Sequence, residues 1–254
     1  MTTFFVLLLG IPIGLAVGAF GGGGSVLTVP ILVTLLNVEA HDAITTSLVV
    51  VGVAALSGVL RRLSTKEIDI RRGLAFAALA IPGSVLGTAA NRRLNPHVLL
   101  LVFGLFIAIV ALRMWQSAQR AEAASEMSSR RRAVLVTVAG LGTGVLTGLL
   151  GVGGGFIIVP VFYLVLRTSM GTAVGSSLLV IVLNASLALA LRFPHPGIVW
   201  SLAVPLAATG LIGSLIGTSL SRKASGESVV RGFAILLAVV SVGTSIQASW
   251  QLFS

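Results

Sequence analysis

The chain has no cysteine among its 254 residues, seven Asp+Glu, three histidines and one tyrosine. Without cysteine there is no disulfide framework, no thiolate metal site and no cysteine nucleophile. Charged residues make up 9% of the sequence, whereas ordinary soluble domains carry about 25%. That scarcity excludes a soluble enzyme, a nucleic-acid-binding domain and a disordered tail as descriptions of the whole chain. All seven carboxylates, Glu39, Asp42, Glu67, Asp69, Glu122, Glu126 and Glu227, fall in gaps between apolar runs. A carboxylate proton relay or a sodium cage in mid-membrane is therefore not expected. Nor is there an HExxH string or a nucleophile paired with a base, so neither an enzyme nor a cofactor or metal is expected.

What remains is 56% apolar, with a mean hydropathy of +1.08. Apolar residues gather in ten segments, 4–20, 26–36, 43–60, 73–90 and 98–115, then 133–150, 156–166, 173–191, 198–220 and 229–253. Most reach the 17–25 residues that carry a helix across a bilayer. Segments 26–36 and 156–166 are too short for that. An all-α, polytopic transmembrane bundle is the expected fold. The N-terminal run has no positive region before it and leads into glycines, so it is expected to stay in the mature protein.

The two short segments hold equivalent places. Shifting the chain by 130 positions puts Gly14, Gly18, Gly21, Gly23, Gly24, Val29 and Pro30 on Gly144, Gly148, Gly151, Gly153, Gly154, Val159 and Pro160. The same shift puts Ser47 on Ser177, Arg62 on Arg192, Gly83-Ser84 on Gly213-Ser214 and Gly87-Thr88 on Gly217-Thr218. The chain is a duplication: repeat 1–115, a polar linker at 116–132 expected to be a cytoplasmic connector, and repeat 133–254.

Positive charge then sets orientation. If each short segment pairs with the run before it, the gap at 61–72, the linker and the cations Arg167, Arg222, Lys223 and Arg231 share one side. Fourteen of the 17 Lys+Arg then lie there, opposite Arg92, Arg93 and Arg192. Treating each glycine cluster as one broken helix spreads them eleven to six. The bias favours two inverted repeats, each a Gly-rich interrupted or re-entrant hairpin plus about three spanning helices. Inverted repeats with broken helices are a transporter construction, with the substrate near the midplane.

The clusters Gly21-Gly22-Gly23-Gly24-Ser25 and Gly151-Val152-Gly153-Gly154-Gly155 cannot be stable helix interior, because each glycine costs about 1 kcal/mol relative to alanine. Backbone that leaves a helix at membrane depth must be buried in protein or line a polar cavity. Successive N–H groups there can form an anion nest. Pro30 and Pro160 are placed to begin the next half-helix. By contrast, Gly10, Gly14, Gly18 and Gly22, with Gly140, Gly144 and Gly148, recur every fourth residue and read as packing faces. Gly21-x-Gly23-Gly24 leading to Val29-Pro30, and Gly151 to Gly155 leading to Val159-Pro160, resemble the duplicated signature of the TauE/SafE family. The resemblance implies a permease that exports sulfite and organosulfonate anions. Two positions depart between the halves: Ser25 faces Gly155, and Gly22 faces Val152.

Other candidates for holding an anion are the hydroxyls Thr45, Thr46 and Ser47 and their counterparts Ser176 and Ser177, with Asn184 in mid-segment. Own-helix bonding is the competing role for the hydroxyls, and a helix–helix bond for Asn184. His41, Arg62 and Arg192 are candidates for gating or coupling, although a cation closing a helix more often snorkels to the interface. The expected function is a secondary transporter in the cell membrane, with an anion channel or a non-transporting subunit as alternatives. Its expected partners are the lipid bilayer and a small anion, with a homo-oligomer left open.

Overall fold

The computed structural model describes residues 2–65, 67–91, 96–118, 128–150, 154–191 and 197–253. Helix is the only regular structure among them. In the first half run α1 (Thr2–Phe20), α2 (Gly23–Pro30), α3 (Ala40–Leu63), α4 (Ile70–Asn91) and α5 (Pro96–Ser117). The second half repeats the series as α6 (Ser129–Leu150), α7 (Gly155–Pro160), α8 (Met170–Leu191), α9 (Trp200–Lys223) and α10 (Gly226–Phe253). In α3, α4, α8, α9 and α10 the described stretch is long and apolar enough to cross a membrane. Many of their large apolar side chains face outward, among them Leu60, Val85, Val204, Leu220 and Val239. A bundle in water would not leave them there; lipid accepts them.

The halves interlace. α1 packs along α9, and α4 along α6. A shift of 130 exchanges these two contacts, so each half's first helix lies on the other half's fourth. The glycine faces make this approach possible. A Cβ on Gly14 would sit 2.0 Å from the Gly210 carbonyl oxygen, and one on Gly144 2.1 Å from that of Ala80. Gly213, from the α9 side, meets the Ile11 carbonyl in the same way. Backbone lies against backbone on both sides, as small-residue helix faces allow. Buried residues of both halves, Val17, Val51, Phe76, Phe156, Leu178 and Val230 among them, form one core.

α3 and α8 pack at the centre and run in opposite senses. The C-terminal end of α3 reaches the start of α8, where Arg62 donates to the Gly171 carbonyl at 3.3 Å. Near its other end, Thr46 accepts from the N–H of Val199, beyond the end of α8, at 3.1 Å.

The short segments differ from the sequence reading in one respect. Pro30 and Pro160 do not start half-helices; Gly23 and Gly155 do. Each proline keeps helical dihedrals at the end of α2 or α7, and the helix continues for five residues, Ile31–Leu35 or Val161–Val165, in a wider turn. A proline supplies no N–H to the carbonyl four residues back, yet Ile31 and Val161 directly after it bond the i−4 carbonyls of Leu27 and Ile157, and the i−5 turn comes only beyond them. The closing bonds are Leu36 N–H to Ile31 O at 3.3 Å and Leu166 N–H to Val161 O at 3.0 Å. Both extended segments end on a left-handed residue at matched positions, Asn37 and Arg167, each at φ 51°. The following N–H groups reach back six residues, Val38 to Leu32 and Thr168 to Phe162, a Schellman-type stop. Counted from Gly23 to Leu35, such a segment is ~20 Å long, short of a ~30 Å hydrocarbon core.

Candidate functional site

The two glycine breaks meet inside the bundle. α2 packs against α7, and contact is backbone to backbone at their first turns. A Cβ on Gly22 would lie 2.2 Å from the carbonyl carbon and oxygen of Gly155, and one on Gly155 2.8 Å from Gly22 Cα. Gly21 and Gly154 both have φ 69°, the left-handed region that glycine enters without strain. These positions are not equivalent under the repeat. The first half leaves α1 at Gly21, whereas the second half uses Gly154 to enter α7. The breaks are therefore offset, in line with the unlike residues at Ser25 and Gly155.

The first break is also pinned from outside. Gly21 O accepts from Ser177 Oγ at 2.5 Å, and Gly18 O accepts from Thr218 Oγ1 at 3.2 Å. Gly24 is pressed on Val17 and the Ile13 carbonyl, while Gly23 faces the end of the Leu236 side chain and, at ordinary contact distance, Ala16. Helix starts lack i−4 carbonyl partners for their first N–H groups and carry a partial positive charge. Two such starts meet here backbone to backbone, with the side chains of Ile181, Leu236 and Val17 flanking the contact. Gly151 and Gly153 lie outside the described residues, as does Arg192.

The predicted hydroxyls take two different jobs. Ser47 donates to Ile44 O at 2.7 Å within its own helix, whereas Ser177, whose Oγ also lies 2.8 Å from Val174 O, reaches Gly21 O of the other half. Thr45, like Ser47, donates within α3, to His41 O at 3.1 Å. Thr46 and Ser176, fully buried, form a matched pair across the halves. Thr46 accepts from Val199 N–H, and Ser176 accepts from Asp69 N–H at 3.0 Å. Positions 69 and 199 are repeat equivalents as well, so each half ties down the other's approach to its fourth helix. Removing either acceptor strands a part-buried N–H. Thr46→Val and Ser176→Ala are each expected to lower stability by ~1 kcal/mol. Ser47→Ala, whose bond stays within α3, should cost less; thermal unfolding of the purified variants measures both.

Asn184 sits half-buried in mid-α8, away from the breaks in sequence and opposite Ala54 in the repeat. His41 is exposed at the start of α3, with Gly197 beside it. Arg62 departs most from expectation. It does not snorkel outward but is 1% exposed, held by Glu67, Ser221 and the Gly171 carbonyl. Snorkelling fails here because acceptors from three other segments surround the end of α3. Sequence reasoning missed Ser214 and Thr218, which bond to Ala54 O at 2.6 Å and to Gly18 O. Their signal was present in the repeated Gly-Ser and Gly-Thr pairs of α4 and α9. Among the described residues no group of three His, Asp or Glu side chains could hold a metal.

Comparison with known proteins fits this layout. The family model described as sulfite exporter TauE/SafE matches residues 6–244. A probable membrane transporter protein of Xylella fastidiosa (strain Temecula1) is 32% identical over 243 residues, 94% of this chain and 92% of the relative. Its counterpart in strain 9a5c is 31% identical over 242 residues with the same shares. The probable membrane transporter protein YunE of Bacillus subtilis is 24% identical over 262 residues, 94% of this chain and 96% of YunE. A glycine break in each half of an interlaced helical bundle, and a family match over nearly the whole length, make this chain a multi-pass membrane transporter of the TauE/SafE family.

Proposed function

We propose that this protein is a secondary transporter that exports small sulfur-containing anions, such as sulfite or organosulfonates, across the cell membrane by alternating access. The observation that carries the proposal is the meeting of Gly22 with Gly155, where two helix starts face each other without a side chain between them. An anion at this place is held by backbone N–H groups and the positive helix ends, with no buried cation to desolvate. The antiparallel placing of α3 and α8 supports inverted repeats, which give such a site two equivalent approaches. Glu67 also packs on Gly171 and Gly175 and lies 3.6 Å from Arg222. The loop at 64–69, the start of α8 and the end of α9 thus share one end of the bundle. That grouping supports the hairpin topology favoured by charge, in which this end is cytoplasmic and both termini lie outside.

The test is export of sulfite, and of a simple alkyl sulfonate, from loaded liposomes containing the purified protein. Saturable flux with counterflow is expected. Flux that neither saturates nor shows counterflow identifies a channel instead, and no flux of either anion overturns the proposal. A reporter fused after Ser254 should read as extracytoplasmic.

A further inference from the structure

We propose that Arg62, Arg222 and Glu67 form a second anion site, at the cytoplasmic end of the path. In it the Glu67 carboxylate holds the place that the transported oxyanion takes as it loads. The proposal rests on the transport function given above.

Arg62 has a side chain only 2% exposed, although it closes α3. A guanidinium taken out of water needs a counter-ion and an acceptor for every N–H. Arg62 meets that need only in part. Nη1 donates to Glu67 Oε2 at 2.7 Å and to Gly171 O at 3.3 Å, and Nη2 donates to Ser221 Oγ at 2.7 Å. The buried Nε has no hydrogen-bond partner among the described residues. Glu67 thus meets Arg62 through one oxygen rather than through the two-pronged pairing that the planar groups permit. Its second oxygen lies 3.6 Å from Arg222 Nε. Two guanidinium groups share one carboxylate, and one positive charge remains.

An acceptor count says what fits better. A carboxylate has two oxygens, and Glu67 gives one to each cation. Sulfite and a sulfonate group each have three, enough for both cations and the orphaned Nε–H. The path from water is short, because the side chains of Glu67 and Arg222 are 30% and 32% exposed. Gly171 leaves the first turn of α8 bare beside Glu67, a Cβ there being 3.8 Å from its Cδ. That helix start adds partial positive charge. When the oxyanion arrives, Glu67 turns to solvent and one anion replaces another, so Arg62 is never left without a counter-ion.

The experiment uses the purified full chain in phosphatidylcholine vesicles, which offer no anionic headgroup, with sulfite as the probe. Two readouts are taken: the sulfite concentration that half-saturates export, and the sulfite-dependent rise in melting temperature, which needs no flux. Glu67→Gln removes the competitor and is expected to lower the half-saturating concentration by roughly fivefold, the scale of one part-exposed ion pair. It should also make the melting temperature respond at lower sulfite. Arg222→Gln should raise the half-saturating concentration by a similar factor.

If Glu67 is only a structural clasp, Glu67→Gln lowers the melting temperature without changing its sulfite dependence, and the proposal is overturned. Should that variant not be recovered folded, an unchanged half-saturation in Arg222→Gln overturns it alone. Absent flux together with a sulfite response sharpened by Glu67→Gln keeps the site and removes the transport function. Intact flux with unchanged responses does the reverse.

Discussion

Replacing Gly22 by alanine is expected to cut anion export by roughly a hundredfold, the scale on which a 1 Å displacement acts at a reaction site. The new methyl would lie 2.2 Å from the carbonyl group of Gly155. Backbone cannot rotate aside as a side chain does, so the two helix starts must separate by about an ångström and the anion loses one set of N–H partners. The reciprocal change, Gly155→Ala, meets Gly22 Cα at 2.8 Å and Ile181 Cδ1 at 2.7 Å and should act in the same direction. Gly23→Ala is the control. Its only close contact is Leu236 Cδ2, a methyl on a flexible side chain, and it should keep most of the flux. Export from loaded liposomes at matched protein content reads all three. Wild-type flux in Gly22→Ala would take the meeting point off the anion's path.

Gly14→Leu is expected to cost roughly 3 kcal/mol of stability or more, at the upper end of what overpacking imposes. Its Cβ alone would be 2.0 Å from the oxygen, 2.7 Å from the carbon and 2.8 Å from the Cα of Gly210. Relief requires α1 to lift off α9, which opens the contact with Gly10 and Gly18 as well. The repeat predicts the same for Gly144→Leu on α6, where the Ala80 carbonyl is the obstacle. Gly142, on that same helix, has nothing within 4 Å of an added Cβ. Gly142→Ala should therefore be neutral, or stabilise by up to about 1 kcal/mol through helix propensity. Melting temperatures of the three purified variants, with yield in the membrane fraction, separate the outcomes. A Gly14→Leu protein that melts with the wild type would mean that α1 does not need close contact with α9.

Much of the bundle was legible because the repeat doubles every signal. Two short apolar segments at one offset marked the short helices α2 and α7, and glycines at every fourth position marked the packing faces. The charge bias grouped the loop at 61–72 with Arg167 and Arg222, and Glu67 now joins α8 to α9 at that end. Pro30 was misread for a physical reason. A proline next to a break looks like a helix start, and composition does not reveal that the helix runs through it and resumes i−4 bonding at the next residue. The hydroxyls illustrate a different limit. Thr45, Thr46 and Ser47 are equally polar in sequence, yet Thr46 accepts a bond from the other half while Ser47 bonds within α3. Which of three adjacent hydroxyls faces across is set by helix phase against a neighbour, and one chain's order does not contain that.

The sequence by itself determined a duplicated, lipid-embedded helical protein with a break in each half, because apolar length, glycine clustering and charge placement are local quantities. Only the tertiary structure decided that the breaks touch at Gly22 and Gly155, that each half's first helix lies on the other's fourth, and that Arg62 turns inward. All three depend on contacts between segments far apart in the chain, Gly144 with Ala80 at 64 positions and Arg62 with Gly171 at 109 among them. They follow from how closely glycine backbones can approach and from which acceptors surround a buried cation.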